Sequence, residues 1–168
     1  MGKGEKLKVY CETSFWSYLV GGRTSDEKVA RDQALTQKWW DEIAPRCDVY
    51  ISQFVVAEAG RGNVEMSTAR KNAMRGTHGI KASPIIVDPL AEKLTEGHAV
   101  PENEGTDALH IATASVYGMD VLLTWNCRHM ANPVTLPRTA AIIAMAGYDC
   151  PIIITPAEFI ARKEEFGL

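Results

Sequence analysis

The chain has 168 residues, 46% of them hydrophobic and 23% charged, with a formal net charge of −3. That composition is globular and long enough for one sizeable core, and it excludes a general electrostatic attraction to nucleic acid, so such binding would need a local basic patch. The longest apolar runs fall far short of the ~20 residues a membrane span needs, and the basic start "MGKGEKLK" is followed by no apolar leader.

In chain order, short β-branched or aromatic runs alternate with helical patterns. "KVYC" reads as a strand and is followed by helices over 15–20 and 28–43. "DVYI" is a second strand, followed by helices over 53–60 and 64–75. "PIIVD" reads as a third strand, before helices over 90–97 and 106–117. "DVLLTW" precedes a helix over 138–146, and "PIIIT" precedes one over 156–165, where Pro156 suits the first helical turn. Apolar strands separated by helices predict an α/β chain: a three-layer α/β/α sandwich with a mainly parallel central sheet, in a single domain over 1–168. The cysteines, Cys11, Cys47, Cys127 and Cys150, form no CxxC pair, which argues against a zinc knuckle or disulfide framework. They suit a reducing compartment, and the expected location is cytoplasmic.

In such sheets ligands sit beyond the carboxyl ends of the strands. Glu12 closes the first strand there, with Thr13 and Ser14 as candidate cap hydroxyls; a solvated loop acid is the plain alternative. In "SQFVVAEAGRG", Ser52 is a plausible helix cap. Glu58 lies near the helix end, where the macrodipole disfavours an acid unless Arg61, three residues on, compensates it. In "EGTDALHIATASVYG", Thr106 is expected to cap a largely buried helix. Asp107 sits where helix starts favour acids, with His110 one turn further on as a packed or hydrogen-bonded histidine. "DVLLTWNCRHM" ends its strand at Asn126, a second polar group at a strand's carboxyl end.

The order of a strand-end acid with Thr-Ser, a helical "AE", "DALHIATA" and "LLTWNCRHMANP" resembles the PIN domain, most closely its VapC-like branch, from about Val9 to "TPAEFI". The resemblance implies a divalent-metal-dependent ribonuclease, often the toxin of a toxin–antitoxin pair, with RNA as substrate and an antitoxin and a second copy of the chain as partners. Carried over by position, Glu12, Glu58, Asp107 and Asn126 are the expected catalytic residues, with Glu12, Glu58 and Asp107 holding Mg²⁺ or Mn²⁺. Oxygen ligands of this kind select those cations over zinc. Two departures from the common pattern stand out: Glu12 in place of Asp, and Asn126 in place of a carboxylate. The second motivates an alternative, a catalytically weakened PIN-fold module that binds RNA or protein. A nucleotide-binding doubly wound protein is disfavoured, because no glycine-rich loop follows the first strand.

Substrate contacts are expected from Thr13, Ser14, Arg61, Lys71, Arg75, Arg128 and His129. From Arg61 to Lys81 five bases face one acid, Glu65, a local net charge of +4 in a chain that is −3 as a whole. A solvated helix face is the equally plain reading of that cluster. Arg128 and His129 directly follow Asn126 and are better placed for a phosphate.

Overall fold

A computed structural model describes residues 4–168. The first residues of the basic N-terminal stretch therefore lie outside the described residues. Five strands, β1 (Leu7–Cys11), β2 (Cys47–Ser52), β3 (His78–Ile80), β4 (Val121–Leu123) and β5 (Ile152–Ile154), form one sheet in the order β3-β2-β1-β4-β5, with every pairing parallel. Among the described residues eight α-helices cover it: α1 (Thr13–Leu19), α2 (Glu27–Glu42), α3 (Gln53–Ala59), α4 (Val64–Ala73), α5 (Pro84–Glu96), α6 (Gly105–Val116), α7 (Leu136–Met145) and α8 (Pro156–Ala161). The helices α1 to α4 and α8 pack among themselves on one side, and α5, α6 and α7 on the other, which makes the expected three-layer sandwich.

The central strand carries Val9, Tyr10 and Cys11, all fully buried, and Val9 is in register with Val49 on one neighbour and Val121 on the other. Between β1 and β4 the strand order reverses. In parallel α/β sheets ligands bind beyond the carboxyl ends of the strands at such a switch point.

Two expectations are corrected. "PIIVD" is not a strand but the first turns of α5. Pro84 occupies its first position, and the buried residues Val87, Leu90, Ala91 and Leu94 recur at helical spacing, while Ile85 stays 87% exposed. A short apolar run cannot by itself distinguish the two, and here the i, i+3, i+4, i+7 burial decides. The third strand is instead His78–Ile80, which buries only Ile80 and is held by backbone pairing with Tyr50–Ser52. The final helix is also shorter than expected: it ends at Ala161 and a 3₁₀ turn, Lys163–Phe166, follows. Among the described residues all four cysteines are free thiols, and no helix is long and apolar enough to cross a membrane.

Candidate active site at the carboxyl edge of the sheet

Glu12 leaves β1 in extended conformation and occupies the position before α1. Its side chain is buried, and its Oε1 accepts from the Ser14 hydroxyl and, at 2.8 Å, from Thr124 Oγ1. Ser14 Oγ in turn accepts from the Trp125 backbone N–H at 2.8 Å, and Thr124 Oγ1 accepts from the Asn126 N–H at 2.9 Å. These bonds bind the ends of β1 and β4 together across the switch point. Trp125 also anchors the turn after β4, donating from Nε1 to Thr36 Oγ1 of α2 at 2.8 Å. Oε2 of Glu12 has no hydrogen-bond partner among the described residues.

Glu58 arrives from α3, which touches both α1 and α6. Its Oε1 accepts from Thr13 Oγ1 at 2.7 Å and from His110 Nε2. Burial acts to raise its carboxyl pKa, but the bond and charge of His110, the Thr13 hydroxyl and the charge of Arg61 outweigh burial and hold it below the usual value. His110 is fully buried and completes a chain through the sheet: its Nδ1 lies 2.7 Å from the Tyr10 hydroxyl, which lies 2.7 Å from Ser52 Oγ. Nε2 faces Glu58, and the phenol hydroxyl bridges Nδ1 and Ser52 Oγ. Burial holds the phenol well above its ordinary pKa, so it remains a donor.

Asp107 sits in the first turn of α6 with its side chain 13% exposed. Its Oδ2 accepts from Asn126 Nδ2 at 3.1 Å and lies 3.3 Å from His129 Nδ1. Burial and the neighbouring charges of Glu12 and Glu104 push its carboxyl pKa up, against the opposing charges of His110 and His129. The carbonyl of Asn126 is already occupied, accepting from the His129 N–H at 3.0 Å, so its amide rather than its oxygen faces Asp107.

Several local roles differ from those expected. The hydroxyls of Thr13 and Ser14 lie inside the first turn of α1 and bond to Glu58 and Glu12 instead of capping the helix. Ser52 precedes α3 but makes no capping bond, its hydroxyl being turned to Tyr10. Thr106 lies within α6, whose cap position is held by Glu104. For Thr13 and Ser14 the charge-assisted bond from hydroxyl to a nearby carboxylate is the stronger one available.

The expected substrate contacts divide by location. Arg128 is exposed and lines a cleft of about 440 Å³ with His98, Val100, His129 and Thr135, beside the acids. Arg61 is exposed just beyond α3, and Lys71 is exposed on α4. Arg75 is not brought to the acids: it lines a cleft of about 390 Å³ with Lys6, Cys47, Asp48 and His78, at the amino end of β2. Arg70 is used internally, donating to the carbonyls of Ala59 and Arg61 and so closing the end of α3. Sequence reasoning passed over Glu104, which lies 3.7 Å from His129 Nδ1, and Thr124. The available signals were the three-residue spacing from Glu104 to Asp107 on one helix start and the threonine in "LLTWN".

No family model matches the chain, and no curated protein matches it by sequence. Among solved structures it is similar to VapBC2 from Rickettsia felis, solved bound to a DNA fragment from its promoter. The TM-score is 0.57 at 14% identity, over 89% of this chain and 98% of that one. The fold is a VapC-like PIN fold. A second VapC-like structure, the sarcin-ricin loop cleaving toxin VapC20 of Mycobacterium tuberculosis, gives a TM-score of 0.49 at 17% identity over 83% of this chain and 95% of that one. At the carboxyl edge of β1 and β4, Thr124 bonds Glu12, Thr13 bonds Glu58 and Asn126 bonds Asp107, while Glu104, Asp107 and His129 place ligand atoms within 4.8 Å of one another.

Proposed function

We propose that the chain, acting as one domain, is a divalent-metal-dependent endoribonuclease and the toxin of a toxin–antitoxin pair. The observation that supports this best is the placement of three partly or wholly buried carboxylates at the carboxyl edge of a VapC-like sheet: Glu12 after β1, Glu58 bonded to Thr13 beside it, and Asp107 within reach of the Glu12 charge. Burial and the charge of Glu12 push the Asp107 carboxyl up, and a buried acid beside a like charge is a poor structural solution and a good cation site. The donor chemistry fits Mg²⁺ or Mn²⁺: hard carboxylate oxygens, with Glu12 Oε2 free of protein partners among the described residues.

Glu12 and Asp107 would hold the cation. When bound, it would supply charge neutralisation at the scissile phosphate and acidify a water. Every other role belongs to side chains. Asn126 orients Asp107 through its amide, and Ser14 and Thr124 orient Glu12. Glu58 is kept ionised by His110 and Thr13 and orients the attacking water. Arg128 meets the RNA phosphate backbone from the adjacent cleft. An antitoxin protein and a second copy of the chain are the expected partners, in the cytoplasm.

Asn126 in place of a carboxylate favours a second reading, a PIN-fold module that binds RNA or protein with little cleavage. Cleavage of a mixed RNA pool against Mg²⁺ and Mn²⁺ concentration distinguishes the two. The nuclease reading expects metal-dependent cleavage that Glu12→Gln and Asp107→Asn abolish. A wild type inert at millimolar Mn²⁺ on every RNA, beside an active Asn126→Asp, would overturn it.

A further inference from the structure

Asp107 has a second neighbourhood. Glu104 lies one helical turn before it at the start of α6, and His129 reaches it from the turn after β4. The Nδ1 of His129 lies 3.3 Å from Asp107 Oδ2 and 3.7 Å from Glu104 Oε1, and the three ligand atoms all fall within 4.8 Å of one another. Two donors held about 2.1 Å from one cation are roughly 3.0 Å apart in octahedral and 3.4 Å apart in tetrahedral coordination. The observed separations therefore need only small adjustments to close on one ion.

The cluster is also held in place. Asn126 accepts from the His129 backbone N–H at 3.0 Å and donates to Asp107 at 3.1 Å, so one side chain fixes both partners. Side-chain exposures of 35%, 13% and 20% for Glu104, Asp107 and His129 leave a path for a hydrated ion.

We propose that Glu104, Asp107 and His129 form a mixed oxygen–nitrogen subsite for a first-row transition-metal dication, taking Mn²⁺ or Co²⁺ in preference to Mg²⁺. The subsite deepens the nuclease reading, on which it rests through the shared Asp107, and it gives the centre a metal preference that carboxylates alone do not. Imidazole suits transition metals, whereas Mg²⁺ demands oxygen and keeps its waters.

The test uses the full chain freed of metal by a chelator, titrated with Mn²⁺ alone and with Mg²⁺ alone. Electron spin-echo spectroscopy of bound Mn²⁺ should show the nitrogen coupling of a directly bound imidazole. His129→Gln should abolish that coupling and weaken Mn²⁺ binding roughly tenfold, while Mg²⁺ affinity changes less than about twofold. Glu104→Gln should weaken Mn²⁺ binding and keep the coupling. Coupling absent from the wild type overturns the subsite. Coupling that persists in His129→Gln also overturns it, assigning the nitrogen to His110. Should His129→Gln fail to fold, as its melting curve would show, an unchanged Mn²⁺ affinity in Glu104→Gln overturns the proposal instead. RNA cleavage is scored separately. Cleavage without nitrogen coupling removes the subsite and leaves the nuclease, and coupling on a protein inert toward RNA does the reverse.

Discussion

The relay from Ser52 through Tyr10 and His110 to Glu58 links the centre of the sheet to the candidate site, and Tyr10→Phe isolates it. The substitution keeps the ring and its packing and removes one fully buried hydroxyl with two partners at 2.7 Å. Two hydrogen bonds are lost, and Ser52 Oγ and His110 Nδ1 lose a partner in a site that water does not reach. Leaving a buried polar group unsatisfied costs about 1–3 kcal/mol, so the pair should cost about 2–6 kcal/mol. For a chain of this size each kcal/mol lowers Tm by roughly 2–4 °C, so a cost of about 3 kcal/mol lowers the calorimetric Tm by roughly 6–12 °C. The functional effect should exceed the structural one. With Nδ1 unpartnered, the ring can turn, and Glu58 loses the bond that holds it ionised. RNA cleavage measured well below Tm should fall roughly tenfold to a hundredfold, the range for partners that orient ligands in metal sites. Its acid limb should also shift to higher pH, because loss of the His110 interaction lets burial raise Glu58. Ser52→Ala is the comparison, since Tyr10 can still donate to His110 and activity should hold. A Tyr10→Phe protein that melts within about 1 °C of wild type would refute the relay.

Without added cation, Asp107→Asn should melt above wild type at pH 7. The native-state pKa of Asp107 is raised, so its ionised form opposes folding above that pKa, and the opposition fades as the acid is protonated on lowering the pH. The difference should shrink toward acid pH and reverse when Mn²⁺ is added; a variant that melts lower at every pH would show that the bonds to Asn126 and His129 outweigh the repulsion. Arg128→Ala should weaken RNA binding and reduce its logarithmic salt slope by about 0.7, one contact on a single strand. Arg75→Ala should leave that slope unchanged, because Arg75 lies at the amino end of β2, and an altered slope would mean that RNA wraps to the far edge of the sheet.

Much of the site is legible in the chain because its signals are local. Glu12 follows an apolar run with strand length and β-branched content, and Asn126 follows another, so as parallel neighbours both strands deliver these residues to the same sheet edge. Asp107 and His110 share a helix face at a spacing that sequence displays. The tertiary structure decided what depends on residues distant in sequence. Whether His110 is a core histidine or a partner of Glu58 turns on 52 residues of separation, and whether Ser14 caps a helix or binds Glu12 turns on Thr124 and Trp125 arriving from β4. The Pro84–Asp88 run is equally apolar as strand or helix, and only the burial of Val87, Leu90 and Leu94 against neighbouring helices selects the helix. The basic cluster shows the same limit. A helix read over 64–75 would put Lys71 and Arg75 on one face, but α4 ends at Ala73, and the turn after it carries Arg75 to the amino end of β2, opposite the candidate site.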